Sequence, residues 1–306
     1  METDRCQVLC LALTPAVQRT QLMTGYRHGQ VNRVGKTIVT ASGKGVNVAM
    51  VLARLGTPVR LIGLVGGDTG RYVKEAVAEA GVIADWIESA VPTRHCHTLV
   101  ETDTGQVTEI VEEAVAPGTG EWSAIEEKVR DAARTCGWFI WSGAMPPGTP
   151  YDRLGKMLTL AESLGLRVLV DSQGPALRNA LHACPYLVKL NREELLRTCG
   201  HDAHSAADIT AAARNLIECG AQQVLVTNGA QPAILVTNKQ ITSFMVPKVR
   251  VINPIGSGDC VTAGIIHALG KGLPLLDAIR YGLACGSANA ETETPASFIP
   301  PPPSGT

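Results

Sequence analysis

The chain has 306 residues, enough for one large α/β domain or two small ones with a sizeable buried core. Its net charge is −1 and its lysines and arginines form no cluster, so it lacks the electrostatic footprint of a protein that binds nucleic acid or an anionic membrane. Nine cysteines without a C-x-x-C pair are typical of reduced thiols rather than of a disulfide framework.

The N-terminal sequence METDRCQVLCLAL begins with acidic residues, and its apolar run is too short for a signal peptide. No later stretch approaches the length of a membrane span. We therefore expect a soluble protein of the cytoplasm.

The first half of the chain begins with short β-prone segments. Residues 7–13 form an apolar run that predicts a buried strand, and residues 18–40 alternate polar and β-prone residues, as strands with one solvated face do. Apolar residues at helical spacing predict a helix over 48–55, and a strand over 59–65 and a helix over 72–80 follow. Predicted strands and helices therefore begin to alternate here, as they do in α/β folds.

A second polar segment, residues 94–111, interrupts this alternation with a predicted hairpin. We expect it to join residues 18–40 in a small β-sheet that serves as a lid. The alternation then resumes with strands near 138–141, 167–170, 186–190 and 223–226. Polar residues follow the ends of these strands: Ser142, Asp171, Asn191 and Thr227. Because ligands bind beyond the carboxyl ends of parallel strands, the pattern predicts a site at this edge.

A late hairpin over 233–236 and 241–246 and a last helix from about 274 to 290 complete the predicted elements. Their order favours an α/β fold with a mostly parallel central sheet. We expect residues 1–294 to form a single domain, and the Pro-rich tail 295–306 to be disordered or extended.

Residues 249–270, VRVINPIGSGDCVTAGIIHALG, read as a strand, a glycine turn and a helix that begins at Asp259. A glycine turn at a helix N-terminus presents unpaired N–H groups to an anion. A carboxylate beside an anion site repels an anionic ligand, so its presence there indicates a function. Accepting the proton of an attacking hydroxyl is one such function. The alternative interpretation is that Asp259 or Ser257 is an ordinary N-cap.

Two common nucleotide signatures are absent. The chain has no G-x-x-x-x-G-K-S/T motif, and valines at 48 and 261 replace the third glycine of G-x-G-x-x-G. Two glycine turns remain, one beside Lys44 and Asn47 and the other beside Asp259. If they meet at one sheet edge, they would hold a polar substrate opposite a nucleotide.

The chain resembles the ribokinase-type (PfkB) carbohydrate kinases, especially the branch with fructose-1-phosphate kinase and tagatose-6-phosphate kinase. The motifs that carry this resemblance are TPAVQRT (14–20), VNRV (31–34), SGKGVNVAMVLARLG (42–56), GLVGGDTG (63–70), SGAMPPG (142–148), VKLNREEL (188–195), VLVTNGAQPAILV (224–236) and NPIGSGDCVTAG (253–264). The resemblance implies a ribokinase-like three-layer αβα domain with a β-sheet lid. It also implies ATP- and Mg²⁺-dependent phosphoryl transfer to a hydroxyl of a ketohexose phosphate, of the fructose 1-phosphate or tagatose 6-phosphate type.

By the same resemblance Asp259 is the catalytic base, with an anion hole formed by Gly256, Ser257 and Gly258. The implied nucleotide-side residues are Lys189, Asn191, Glu194, Thr227, Gly229 and Asn289. Glu194 is also implied in an indirect contact with Mg²⁺. The implied sugar-side residues are Gln18, Gly43, Lys44, Asn47 and Arg94. Without the resemblance, Asn191 and Glu194 are better explained as a helix cap, and Lys44 and Arg94 as surface charges.

The sugar side departs from the family pattern. Relatives tend to carry an acid at the position of Gln18, and R-x-N-x-K/H where this chain has Arg94-His95-Cys96-His97-Thr98. Because glutamine offers one acceptor oxygen, it should read a different pattern of sugar hydroxyls. Two alternatives therefore stay open: a kinase of an unphosphorylated sugar or nucleoside, and a catalytically silent sugar-binding regulator. Lys44 and Arg94 favour a phosphorylated acceptor.

The exposed strand edges of 18–40 and 94–111 favour a homodimer joined through the lid. His201-Asp202-Ala203-His204 is interpreted as a solvated loop, and we expect no transition metal held by the protein.

Overall fold

The computed structural model describes residues 7–200 and 206–301. His201 and His204 lie outside the described residues. In chain order the strands are β1 (Gln7–Ala12), β2 (Ala16–Met23), β3 (Lys36–Ser42), β4 (Val59–Val65), β5 (Ile83–Glu88), β6 (Arg94–Glu101), β7 (Val107–Val111), β8 (Cys136–Ser142), β9 (Arg167–Asp171), β10 (Leu187–Asn191), β11 (Gln223–Asn228), β12 (Gln231–Thr237) and β13 (Ile241–Phe244).

The helices, in the same order, are α1 (Lys44–Arg54), α2 (Gly67–Glu79), α3 (Thr119–Ala132), α4 (Asp152–Ser163), α5 (Gly174–Ala180), α6 (Arg192–Cys199), α7 (Ala206–Glu218), α8 (Ser257–Gly270) and α9 (Leu275–Ala290). None of these helices is long and apolar enough to cross a membrane.

A nine-stranded sheet in the order β13-β12-β11-β10-β9-β8-β1-β4-β5 forms the centre of the fold. The strands from β5 to β11 in this order are parallel, and β12 and β13 are antiparallel additions at one end. The prediction of a mostly parallel central sheet is therefore confirmed. The carboxyl ends of the parallel strands lie along one edge, where ligands bind in such sheets.

Both faces of this sheet are covered by helices, because successive side chains of a strand point to opposite faces. In β1, Leu9 and Leu11 pack into one core with residues of α3, α4, α5, α6 and α7. Val8 and Cys10 pack into a second core with residues of α1, α2, α8 and α9. The result is the three-layer αβα arrangement that was expected.

A separate four-stranded sheet, in the order β3-β2-β6-β7, contains the strands predicted within 18–40 and 94–111. We call it the small sheet. Its central strands β2 and β6 run parallel, with Gln18 beside Cys96 and Thr20 beside Thr98. Two segments that are distant in sequence therefore pair in one sheet.

Two features of the fold were not predicted. Strand β5 was missed because IADWIE is a partly exposed edge strand with little apolar alternation. The first residues of the tail have no regular element, yet Phe298 is 2% exposed and its carbonyl accepts a hydrogen bond from Arg54 Nη1 at 3.2 Å. The described part of the tail thus packs against the domain.

Candidate active site

A cavity of about 890 Å³ lies between the carboxyl edge of the large sheet, the small sheet and the start of α8. The residues that the sequence placed in the site come from both ends of the chain, and all of them except Asn289 line this cavity: Gln18, Gly43, Lys44, Asn47, Arg94, Lys189, Asn191, Glu194, Thr227, Gly229, Gly256, Ser257, Gly258 and Asp259. The two glycine turns therefore meet at one edge of the sheet.

The glycine turn before α8 places a helix N-terminus on the cavity wall. Gly256 has φ 79°, a left-handed conformation that glycine adopts without a steric penalty. A Cβ at this position would lie 2.8 Å from Pro295 Cβ, so the turn also packs tightly against the tail. Gly256, Ser257 and Gly258 line the cavity at the start of α8, and the Ser257 amide donates to the Pro254 carbonyl at 3.1 Å within the turn. The first amides of a helix have no partner inside that helix, as an anion-binding turn requires.

The strand predicted before this turn is not present, and that prediction was wrong. Residues 245–256 contain no regular strand. Pro247 and Pro254 each lack the N–H that a sheet ladder uses. The amides of Ile252 and Asn253 bond instead to the carbonyl of Ala290 at the end of α9, at 2.7 and 3.1 Å. The turn is therefore anchored to a helix rather than to the sheet.

Asp259 lies in the first turn of α8 and is 4% exposed. Its Oδ2 accepts a hydrogen bond from Asn47 Nδ2 at 2.7 Å. Burial is the main cause that raises the pKa of Asp259 to about 7, and the carboxylate of Asp171 raises it further against the opposing Lys44 charge. A carboxyl with this pKa is matched to proton transfer near neutral pH.

An ion network lies behind Asp259 and is centred on the fully buried Asp171. Lys189 Nζ donates to Asp171 Oδ2 at 2.8 Å, and Lys44 Nζ donates to Oδ1 at 3.1 Å. Burial acts to raise the pKa of Asp171, but the charges of Lys189 and Lys44 overcome it and lower the pKa to about 2. Asp171 is therefore ionised at neutral pH.

Lys44 also donates to Glu194 Oε1 at 2.8 Å, so two carboxylates neutralise its ammonium group. Burial lowers the pKa of Lys44, but Asp171 and Glu194 outweigh it and raise the pKa above its ordinary value. The sequence pointed to Lys44 as a cation for the phosphate of an acceptor. In the structure Lys44 links two carboxylates of the network and also lines the cavity.

Asn191 and Glu194 form a reciprocal helix cap at the start of α6. Asn191 Oδ1 accepts from the Glu194 amide at 2.8 Å, and Glu194 Oε2 accepts from the Asn191 amide at 2.9 Å. Both carboxylate oxygens of Glu194 are thus engaged, one by the backbone and one by Lys44. Each of its oxygens keeps one further acceptor site.

The sugar side of the cavity is formed by the small sheet and the turn before α1. Gln18 is 3% exposed and donates from Nε2 to Thr98 Oγ1 at 2.7 Å. Arg94 donates to the carbonyls of Glu112 at 2.7 Å and Thr14 at 3.2 Å. The Arg94 guanidinium forms no ion pair with a carboxylate in the described ranges.

Gly43, in the turn that enters α1, has φ 106°, and a Cβ there would lie 2.5 Å from the Thr14 carbonyl oxygen. Only glycine fits this turn without displacing the chain after β1. The close approach holds the N-terminus of α1, and with it Asn47, next to Asp259.

The opposite end of the cavity has an apolar wall made of Val246, Val249, Val251 and Leu283. Thr227 and Gly229 line the same end, beyond β11. Thr227 Oγ1 donates to the Leu190 carbonyl at 3.4 Å, and Gly229 has φ 56°. An apolar wall beside polar loop ends fits a nucleobase with its attached ribose.

Asn289 does not line the cavity, although the sequence placed it near the nucleotide. It is fully buried and donates to the Ile255 carbonyl at 3.0 Å and to Ser257 Oγ at 3.2 Å. Its Oδ1 accepts from the Ala296 amide at 2.8 Å. Asn289 therefore supports the glycine turn from behind, and its side chain ties the tail to that turn.

Two residues on this site were not assigned a role from the sequence. Asp171 was noted only as a polar residue after a strand, and its link to Lys44, 127 positions away, follows from the fold. Glu109 lines the cavity from β7 and had been considered only as part of a lid strand. The signal for Asp171 was its position directly after the buried run of β9.

Known proteins resemble this chain over most of its length. A family model described as "pfkB family carbohydrate kinase" matches residues 8–301. A 1-phosphofructokinase of Bacillus subtilis is 30% identical over 286 residues, which cover 94% of this chain and 93% of that protein. A 1-phosphofructokinase of Rhodobacter capsulatus is 31% identical over 279 residues, which cover 91% and 88% of the two chains.

Solved structures show the same fold. Phosphofructokinase-2 from Escherichia coli in complex with fructose-6-phosphate superposes with a TM-score of 0.84 and 26% identity, covering 93% of this chain and 94% of that one. Ribokinase of Arabidopsis thaliana complexed with ribose and ATP gives a TM-score of 0.78 at 20% identity, covering 96% and 95%. With the family model spanning nearly the whole sequence, the chain belongs to the pfkB family of carbohydrate kinases.

Proposed function

We propose that the chain transfers the γ-phosphoryl group of ATP to a hydroxyl of a ketohexose phosphate, with fructose 1-phosphate as the first candidate and tagatose 6-phosphate as the second. The observation that carries this proposal is the place of Asp259. A buried carboxyl with a pKa of about 7 stands at the mouth of an anion-binding turn, between the polar sugar side and the apolar wall. Relatives called 1-phosphofructokinase support the choice of acceptor.

In the proposed reaction Asp259 accepts the proton of the attacking hydroxyl. The hydroxyl oxygen forms a bond to the γ-phosphorus as the bond to the ADP oxygen breaks. Asn47 holds Oδ2 of the base, which directs Oδ1 toward the acceptor. The Ser257 amide is hydrogen-bonded to the Pro254 carbonyl, so the N–H groups of Gly256 and Gly258 stabilise the charge that develops on the transferred group.

The residues around Glu194 fit a magnesium ion that is held mainly by phosphates and water. Among the described residues no group of three or more His, Cys, Asp or Glu side chains forms a metal cluster. Mg²⁺ commonly binds in this way, through few protein ligands and several waters, and it would neutralise phosphate charge during transfer. We propose that Glu194 orients a water ligand of the ion, while Lys44 and Lys189 hold Glu194 and Asp171 in place.

The acceptor phosphate is assigned to Arg94. Lys44 is neutralised by two carboxylates. Arg94 is therefore the sugar-side cation whose charge no carboxylate of the described residues neutralises. Two of its donors hold backbone carbonyls and fix the guanidinium at the cavity wall. One hydrogen on each of Nη1 and Nη2 remains for phosphate oxygens, whereas Nε is buried and has no hydrogen-bond partner among the described residues.

We also propose that the single domain expected over residues 1–294 extends through the described tail to Pro301. It would act in the cytoplasm, with the small sheet as a lid and as the surface of a homodimer. Val39 and Ile110, on the two edge strands of the small sheet, are 38% and 55% exposed. Exposed apolar residues on sheet edges favour pairing with a second copy. Sedimentation of the full chain tests the assembly.

The function is tested by offering the wild-type protein ATP and Mg²⁺ with fructose 1-phosphate, tagatose 6-phosphate, fructose 6-phosphate, fructose, ribose and adenosine. Product is identified by mass. The proposal predicts the highest kcat/KM for a ketohexose phosphate. A preference for ribose, fructose or adenosine would instead support the alternative of an unphosphorylated acceptor. Binding of sugars without any turnover would support a silent regulator.

A further inference from the structure

One carboxylate in the large cavity has no part in the network around Asp259. Glu109 projects from β7, an edge strand of the small sheet, and lines the cavity. The other carboxylates that line the cavity, Glu194 of α6 and Asp259 of α8, accept hydrogen bonds from Lys44 and Asn47. Within the described ranges, the side chain of Glu109 has no hydrogen bond or ion pair. Its two oxygens are available to a ligand.

Glu109 lines the cavity but is itself exposed to solvent, because β7 is an edge strand. Partial burial by the surrounding groups raises the pKa of Glu109, and the ammonium group of Lys44 opposes this change. Lys44 lines the same cavity from the turn before α1. Glu109 therefore faces the space between the small sheet and α1, where the acceptor would lie.

The register of the small sheet shows why Gln18 can accept few hydrogen bonds from sugar hydroxyls. Gln18 donates to Thr98 Oγ1 at 2.7 Å, and Thr98 lies directly opposite Glu109 in the β6–β7 pair. One amide hydrogen of Gln18 is thus committed to the sheet, and its single carbonyl oxygen is the only acceptor it can offer. Glu109 adds two acceptor oxygens beside it.

A phosphate would not bind next to an ionised Glu109, because like charges repel. Arg94 stands four residues before Thr98 on β6, about 13 Å along the strand. The small sheet therefore presents a cation at one end of the sugar side and a carboxylate at the other. An acceptor with a phosphate at one end and hydroxyls at the other matches this charge pattern.

We propose that Glu109 is a specificity-determining residue that accepts hydrogen bonds from hydroxyl groups of the acceptor sugar, remote from its phosphate. This inference rests on the proposed function. It adds a residue that selects for the hydroxyl end of the substrate, while Arg94 selects for the phosphate end.

The test compares Glu109→Gln and Glu109→Ala with Glu113→Gln, a control at an exposed glutamate that lies beside a different, smaller cavity. The Kd of the preferred acceptor is measured by calorimetry without nucleotide, and the KM values of acceptor and ATP by turnover. Glu109→Gln should weaken acceptor binding about 5- to 30-fold and Glu109→Ala at least as much, since a charge-assisted hydrogen bond is lost. Glu113→Gln should bind like wild type, and the KM for ATP should stay within about 2-fold in all variants.

Inorganic phosphate, used as a competitor of the acceptor, separates the two ends of the site. Its inhibition constant should be unchanged or lower in Glu109→Gln, because the carboxylate does not contact phosphate. Unchanged or tighter acceptor binding in Glu109→Gln, with an active wild type, would overturn the role of Glu109 alone. If the wild type phosphorylates no sugar or sugar phosphate, the proposed function and this inference fail together. Thermal melting confirms that the variants are folded, and Glu109→Gln preserves the shape of the residue.

Discussion

Asn47 and Asp259 are 212 positions apart in the sequence, and a hydrogen bond of 2.7 Å joins the Asn47 amide to the Asp259 carboxylate. The bond connects the first turns of α1 and α8, the two helices that the glycine turns introduce. It fixes one oxygen of a buried carboxyl whose pKa is about 7. The geometry of a general base is thus set before substrate arrives, which is how positioned groups contribute to catalysis.

Burial of Asp259 should reduce stability at alkaline pH. Its pKa in the folded chain, about 7, lies above the value of about 3.9 for an unfolded aspartate. A carboxyl with a raised folded-state pKa contributes stability that is fully present below about pH 4 and is lost as pH rises toward 7. Asp259→Asn removes this titration and the buried charge.

We therefore expect Asp259→Asn to be more stable than wild type at pH 8, and the difference in unfolding free energy to grow by roughly 2–3 kcal/mol between pH 5 and pH 8. Urea denaturation of both proteins at the two pH values measures it. Other titrating groups are common to both proteins and cancel in the difference. A difference in unfolding free energy that does not change with pH would show that Asp259 ionises normally.

Arg94→Ala should raise the KM for the sugar phosphate by about 10-fold or more, because a charge-assisted contact to the acceptor phosphate is lost. The KM for ATP should stay nearly unchanged. Arg71→Ala is the control, since Arg71 lies on α2 with 68% of its side chain exposed. Steady-state kinetics with each substrate varied in turn gives both values. Equal effects on the two KM values would show that Arg94 supports the fold rather than the phosphate.

Binding of the sugar phosphate should slow hydrogen exchange in β2, β3, β6 and β7 more than in β8, β9 and β10. The small sheet forms one wall of the cavity and is joined to the rest of the domain by few elements, whereas the central strands are already protected. Mass spectrometry of exchanged peptides with and without ligand measures the change. Uniform protection along the chain would argue against a lid.

The packed tail gives a prediction about stability. Phe298→Ala should lower the unfolding free energy by about 3–5 kcal/mol, because it removes a buried aromatic side chain from the core shared by α1, α8 and α9. Ile299→Ala, at a side chain 87% exposed, should change it by less than about 0.5 kcal/mol. Denaturant titration of the two variants checks this. Similar values for both would mean that the tail does not stabilise the domain.

Much of the fold was predictable because its signals are local. Apolar periodicity located α1, and buried runs located β1 and β4. Glycine spacing also located both turns of the site. The strand expected before Gly256 was wrong because the β-prone residues there have no neighbouring strand, which only the tertiary arrangement decides. Pro247 and Pro254 were a warning that the sequence itself carried.

The ion network was less accessible from sequence. Lys44 looked like a free cation in a glycine turn, and nothing local links it to Asp171 or Glu194. Asn289 looked like a residue at the end of a helix near the nucleotide, yet its amide supports the glycine turn from behind. Such pairings depend on strand order across the sheet. They cannot be read from spacing along the chain.

The turnover of Asp259→Asn decides whether Asp259 is the base of a phosphoryl transfer. With the preferred acceptor saturating, kcat should fall at least about 10²-fold, because the isosteric amide keeps the bond partner of Asn47 but cannot take the proton of the hydroxyl. The affinity for ATP, measured by calorimetry on the same preparation, should stay within a few-fold of wild type. A variant that turns over at nearly the wild-type rate would show that Asp259 is not the base.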